Sequence, residues 1–389
     1  MTEKKRRIYF DHAATTPLDR AVFEKMSPYF TSAFGNADSL HAYGREAKNA
    51  LDSARDTLSG LIGANPSEVY FTSGGTESDN WAILGGAECA KEGGRNRVLI
   101  SAIEHHAVLS AAQRLEERGY SVGYIPVDEG GRVELNAFKA LLTPEVGLVA
   151  VMAANNETGV IQPVRELAAL THENGSLFFT DAVHAAPYMP IDVKEWGVDM
   201  LSLSAHKFYG GRGAGALFVR KGVRIGRLVT GGEQERGLRG GTSNIPAIVG
   251  CAEAYVLAHA DLEKNNAKIA RLKTLFLEEL TARVSGVQVN GAEEYALPSV
   301  LNIRIEGVDN AAFLRAMDLA GVALSAGAAC ASADVKPSHV LTAMGRSEKE
   351  AKECVRFSFG KDNTEEEILL GAAFAAETVN RLRKVGASL

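Results

Sequence analysis

Between about residues 50 and 260, short apolar runs alternate with amphipathic stretches. The runs fall at 67–71, 98–101, 122–126, 148–153, 177–180, 200–203 and 216–219. The first leads into Thr-Ser-Gly-Gly-Thr and then a helical stretch through Trp81, Ile83 and Leu84. Helical patterns such as 108–118 and 164–174 lie between later runs. This repetition predicts an α/β fold built on a mixed, mostly parallel sheet covered on both faces. Functional groups in such sheets gather at the carboxyl ends of strands.

After about residue 258 the texture changes. A long charged amphipathic helix at 261–283 is followed by a strand at 300–305 and a helix at 310–320. Then come a small-residue loop at 325–334, a strand at 354–359 and a closing helix at 364–384. The pattern reads as a smaller α+β domain onto which the first dozen residues fold back. The expected division is a large domain over 16–258 and a small one made of 1–15 and 259–389. A chain of 389 residues suits two such units, being long for one core.

Composition narrows the class. Hydrophobic residues at 46% and charged residues at 23% are ordinary for a globular protein. A net charge of −6 argues against a nucleic-acid partner. No apolar run approaches the ~20 residues that span a bilayer. The basic start (Lys4, Lys5, Arg6, Arg7) lacks a following apolar segment, so it reads as a solvated terminus rather than a secretory signal. None of Cys89, Cys251, Cys330 and Cys354 forms a C-x-x-C pair, which argues against a zinc site and a secreted disulfide framework. A reducing cytoplasmic setting is expected.

Lys207 carries the first chemical signal. It follows an apolar strand-like run and precedes a glycine-rich loop, with Ser204 and His206 beside it. A desolvated lysine loses its proton easily and can condense with an aldehyde cofactor such as pyridoxal phosphate; the bland reading is an exposed loop lysine. Asp181 ends another strand, where an acid can hold a pyridine nitrogen protonated or merely cap a turn. Ser73-Gly-Gly-Thr-Glu-Ser78 places glycines before a helix, a setting for a phosphate or a plain N-capped turn. In Glu104-His-His106 the adjacent rings point apart, which disfavours a shared metal; one of them can stack on an aromatic cofactor or transfer a proton. Gly211–Ala216 satisfies G-x-G-x-x-A but leads into a strand, so it is not a dinucleotide site. Cys330 lies in a run of small residues that favours no one conformation; such a cysteine can be carried to a site and react as thiolate, or be simply buried.

Taken in order, these blocks resemble the cysteine desulfurases of the NifS/IscS type, fold-type-I enzymes that use pyridoxal phosphate. The resemblance runs from Tyr9-Phe-Asp-His-Ala-Ala-Thr-Thr-Pro17 to Arg356-Phe-Ser-Phe-Gly360. It includes Gly35–His41, Thr72–Asn80, Glu104–Val108, Asn155–Gly159, Asp181–His184, Ser204–Lys207, Glu235–Thr242 and the Cys330 loop. By position it implies that Lys207 binds the cofactor aldehyde, Asp181 partners the ring nitrogen and His105 stacks and moves protons. Gly75, Thr76, Ser204 and His206 would cradle the phosphate, with Thr242 reaching in from the other subunit of a homodimer. Asn156 lies beside the cofactor, and Arg356 grips the substrate carboxylate, which a planar guanidinium bonds bidentately. The implied reaction takes L-cysteine to L-alanine and leaves a persulfide on Cys330 for an acceptor protein, an iron–sulfur scaffold or a sulfur carrier.

The chain departs from that pattern in three places. His184 stands where the family commonly has a glutamine that donates to the cofactor's phenolic oxygen, so that bond is expected to become pH-dependent. The Cys330 loop has lost several hydroxyls, which bears on the choice of acceptor. Gly75 replaces a frequent alanine, a change expected to be harmless. The alternatives are a selenocysteine lyase or another enzyme of the same fold, and, from a different class, an inactive scaffold for sulfur-transfer partners. The presence of both Lys207 and Cys330 disfavours the scaffold.

Overall fold

The computed structural model describes residues 7–327 and 337–386. Among these residues, twelve strands form three sheets. The first strand is β1 (Ile8–Tyr9). The main sheet holds β2 (Val69–Thr72), β3 (Arg97–Ser101), β4 (Ser121–Ile125), β5 (Val146–Ala150), β6 (Leu177–Asp181), β7 (Met200–Ser204) and β8 (Gly215–Val219). The later strands are β9 (Val287–Val289), β10 (Val300–Ile305), β11 (Val322–Ala323) and β12 (Cys354–Ser358).

The main sheet runs in the order β2-β8-β7-β6-β5-β3-β4. Its pairings from β4 through β7 are all parallel. β8 alone is reversed, antiparallel to both β7 and β2. Only a short turn and a glycine-rich loop join β7 to β8, too little chain for a parallel crossover. β2 therefore points the same way as β7, and six strands end on one edge. That is the expected α/β architecture. The helical stretch after β2 is more irregular than expected: the helix Gly75–Asn80 continues through a π-helical segment, Trp81–Gly85, into Gly86–Glu92.

Strand alternation builds two cores. Val149, Phe178, Leu201 and Leu203 belong to a cluster on one face, and Leu148, Ala150, Phe179 and Met200 to a cluster on the other. Successive residues of each strand thus feed opposite faces, as the period of two requires. β10 pairs antiparallel with both β12 and β9. The N-terminal segment joins these later elements: β1 pairs parallel with β11, and Ala13 N–H donates to Ser358 Oγ at 2.9 Å. Phe10 packs edge-on to Phe276, Phe357 and Phe359, at centroid distances of 5.8, 6.5 and 5.1 Å.

β2 lies at the edge of the main sheet, and buried charge occupies that edge. Glu235 accepts from Phe71 N–H (3.0 Å) and from both terminal nitrogens of Arg55, at 2.7 and 2.8 Å. Arg55 also donates to Val69 O at 2.7 Å. This blocks the strand's free ladder positions, the usual liability of an edge. Replacing Glu235 by Leu would leave Arg55 buried without its partner. We expect a loss of about 3–5 kcal/mol, seen as a lower urea midpoint, with R55M/E235L recovering much of it.

Candidate active site

Every block that the sequence reading singled out in the main sheet follows the carboxyl end of a strand. Gly75 and Thr76 follow β2, His105 follows β3, and Asn156 follows β5. Asp181 is the last residue of β6, Ser204 the last of β7, and Lys207 closes the turn after it. These residues, with His184, His206 and Arg356, line one cleft of about 230 Å³.

Lys207 Nζ donates to the carbonyl of Ala13 and, at 3.0 Å, to that of Ala14. The N-terminal segment is held in place there by its threonines. Thr16 bonds His206 O through both N–H (3.0 Å) and Oγ1 (2.9 Å), and Thr15 Oγ1 meets His206 Nδ1 at 3.1 Å. The turn ends at Tyr209, whose φ of 65° is costly for a residue with a Cβ. Thr16 Oγ1 accepting from Tyr209 N–H, and Tyr209 Oη accepting from Lys361 N–H, hold it there.

Asp181 is buried; its Oδ1 accepts from Val183 N–H at 2.8 Å. Burial raises its carboxyl above the usual range, opposed by His105 and Lys207. His105 caps the helix His106–Glu117: its Nδ1 accepts from Ala107 N–H at 3.2 Å, leaving Nε2 to carry the ring proton. Burial lowers its pKa. Its neighbour His106 packs tilted against His339, with ring centroids 4.9 Å apart, in line with the expectation that the two rings diverge.

His184 is fully buried, and neither ring nitrogen has a partner among the described residues. Burial, then the charges of Lys207 and Arg356, push its pKa well below 6.5. Both effects favour the neutral imidazole, which offers one N–H donor and one acceptor. Arg356, 1% exposed, donates to Asn156 O and to Asp11 Oδ1, both at 2.9 Å, while its Nε has no partner among the described residues. Unpaired buried donors are rare in folded proteins. Here both residues line the cleft, so a bound ligand could satisfy them.

Gly75 is not simply interchangeable with alanine. A Cβ there would meet Val183 Cγ2 at 2.8 Å and Ser204 Cβ at 3.6 Å. The space that a methyl would take is filled by Val183, so the glycine is matched to its neighbour. Thr76 is exposed and Ser204 buried. Thr242 is exposed and does not line this cleft. Ser325 pairs with Arg356 through both backbone bonds, 2.7 and 3.3 Å. Cys330 lies outside the described residues.

Asp79, Met152 and the Ala13 and Ala14 carbonyls also line the cleft or hold Lys207. Sequence reasoning passed over them. A backbone carbonyl has no sequence signature, and Asp79 sat inside a quoted block without a role.

The class-V aminotransferase family model matches residues 8–370. The chain belongs to that family. It is 44% identical over 377 residues to the putative cysteine desulfurase IscS 1 of Bacillus subtilis, covering 97% of this chain and 99% of that one. It is 40% identical over 381 residues to the cysteine desulfurase IscS of Dictyoglomus turgidum, covering 98% and 96%. A solved NifS-like protein superposes with a TM-score of 0.89 at 34% identity, over 99% of this chain and 100% of the other. SspA in complex with cysteine gives a TM-score of 0.81 at 34% identity, over 92% and 100%.

Buried neutral histidines make stability pH-dependent. Burial holds His12 at about 4 against its ordinary 6.5. Below pH 6.5 the unfolded chain takes up this proton first, so stability is intact above that value and falls as pH drops toward 4. We expect up to about 1.4 kcal/mol per pH unit from this residue. Urea midpoints of the cofactor-free protein at several pH values would show it, and His12→Asn would flatten the slope.

Proposed function

We propose that this chain is a pyridoxal-phosphate-dependent cysteine desulfurase, converting L-cysteine to L-alanine and passing the sulfur to an acceptor protein. The observation that carries it is the convergence of the Lys207 amine, the buried Asp181 carboxyl and the orphaned Arg356 Nε on one cleft. The donor set fits the cofactor. Gly75, Thr76, Ser204 and His206 would hold its phosphate, Asp181 its ring nitrogen, His184 its phenolic oxygen and His105 the ring face. When bound, it supplies an electron sink for charge that develops on the substrate's α-carbon.

The remaining steps belong to protein groups. Arg356 binds the substrate carboxylate, and Asn156, whose carbonyl it already holds, positions that end of the cleft. Lys207 Nζ takes the α-proton and returns it. Cys330 thiolate attacks the substrate sulfur; the carbon–sulfur bond breaks, its electron pair stays with the substrate carbon, and a persulfide forms on Cys330. Protonation of that carbon gives alanine. No external oxidant is required, because the sulfur moves as a neutral atom between thiols. The names of the relatives favour an iron–sulfur scaffold as acceptor; a tRNA-thiolation carrier uses the same persulfide. A reducing cytoplasm would keep this chemistry available, and the three described cysteines are free.

A homodimer is part of this reading. Phe23, Phe30, Phe34, Leu40 and Tyr43 are more than half exposed and lie close together in sequence, and a second copy would cover them. Thr242, exposed on its loop, would then reach the partner's phosphate site.

Two tests separate the roles. Lys207→Ala should abolish alanine release, while Cys330→Ala should keep the visible cofactor band and lose persulfide formation by mass spectrometry. Turnover surviving in the cysteine variant would remove Cys330 as nucleophile. Arg356→Lys keeps the charge but loses the fork. We expect kcat/KM for cysteine to fall by about a hundredfold, mostly through KM, with the cofactor band retained.

A further inference from the structure

Asp79 is buried on the helix Gly75–Asn80 and lines the same cleft. Its Oδ1 lies 2.6 Å from Ser202 Oγ, and the same hydroxyl lies 3.4 Å from Asp181 Oδ1. Two carboxyls therefore address a hydroxyl that has only one hydrogen to give. Among the described residues Asp79 takes part in no ion pair. Glu104, fully buried as well, adds its field. The other titratable groups around the pair are His105 and Lys207, both on the Asp181 side.

A charged Asp79 would place a second anion beside Asp181, with no cation of its own, inside a medium that penalises each. It would also claim the Ser202 hydrogen and leave Asp181 without it. Reversing the bond resolves both conflicts. A protonated carboxyl can donate, and a separation of 2.6 Å suits an O–H···O bond in either direction.

We propose that Asp79 is a positioning residue for Asp181: it is held neutral and donates its proton to Ser202 Oγ, so that the serine hydrogen turns to Asp181. The pair then carries one negative charge, on the carboxyl that faces the ring nitrogen. At 3.4 Å the last link is at the limit of a hydrogen bond, so Ser202 biases Asp181 rather than clamping it. Burial and the Asp181 charge both raise the Asp79 carboxyl well above the usual range, in agreement with this assignment. A carboxylic acid kept neutral by an apolar site so that it can donate is a known device of catalytic sites. The inference rests on the cofactor reading only for what Asp181 does; the state of Asp79 is a property of the protein alone.

The test has two independent arms. Infrared spectra of cofactor-free protein labelled with carbon-13 aspartate should show a protonated aspartate carbonyl band that persists at about pH 8 and is missing in Asp79→Asn. Absence of the band in the wild type, or its survival in the variant, overturns the proposal. In the holoenzyme, Asp79→Asn should keep the pH midpoint of the visible cofactor band where the wild type has it, because its amide still donates to Ser202. Ser202→Ala should raise the pH midpoint of the visible cofactor band by about half a unit and speed cofactor loss about three- to tenfold. If the asparagine variant shifts as far as Ser202→Ala, or the serine variant shifts nothing, the relay is wrong. A packing role alone would change stability without moving the band. A wild type lacking any visible band would remove the cofactor reading instead, and the infrared arm would still decide the state of Asp79.

Discussion

The Arg356 guanidinium is the contact through which the separate parts of this chain meet. It projects from β12, paired across to Asn302 on β10 and to Ser325 on the segment after β11. One terminal nitrogen reaches Asn156 on the loop after β5 of the main sheet, and the other reaches Asp11 just beyond β1. A buried guanidinium is tolerated only when its donors and its charge are answered. Asp11 answers the charge, and two of three nitrogen positions have acceptors. The unanswered Nε leaves one buried donor on the cleft that folding has not satisfied. The N-terminal segment is consequently part of the site: Asp11 pairs the arginine, and Ala13 and Ala14 hold Lys207 a few residues later.

Charge at the sheet edge is kept sparse. Lys207 and Arg356 are the cations, and Asp11 pairs Arg356 while Asp181 faces Lys207 across the cleft. Burial keeps the histidines neutral, at about 4 for His12 and His206 and far below 6.5 for His184. At neutral pH they therefore serve as hydrogen-bonding groups rather than as cations. Glu104 is likewise pushed toward its neutral form by burial. Beside Lys207 and Arg356, keeping the neighbouring histidines and Glu104 uncharged preserves the contrast between the Asp181 carboxyl and its surroundings.

Much of this was legible before any coordinates. Buried strands announce themselves as apolar runs, and strand-end placement follows from the parallel sheet, so Asp181, Ser204 and Lys207 could be set on one edge from their positions alone. Strand boundaries moved by a residue or two, as at 67–71, where Pro66–Glu68 forms a 3-10 turn before β2 begins at Val69. Which strand of the mixed sheet is reversed could not be read from the sequence, because apolar runs carry no direction. The two-residue strands β1 and β11 were invisible for a different reason: their pairing is long-range and too short to leave a pattern. Asp79 escaped because an acid in a helix near a glycine turn reads as a surface group, and only the packing of Ser202 against it shows otherwise.

The places where the chain departs from the expected pattern obey the same logic. Gly75 lacks a methyl, and Val183 Cγ2 occupies the space that the methyl would need, so the two positions must be read together. His184 exchanges an amide donor for an imidazole, which in an exposed setting would introduce a proton equilibrium near neutrality. Burial, with Lys207 and Arg356 nearby, lowers its pKa well below 6.5 and so favours the neutral ring with its one N–H. In both cases the neighbours cancel the property that distinguishes the new residue. Substitution at such a site is thus governed by what the surrounding charges and volumes allow the side chain to be, and the residue's intrinsic chemistry enters only through what they leave.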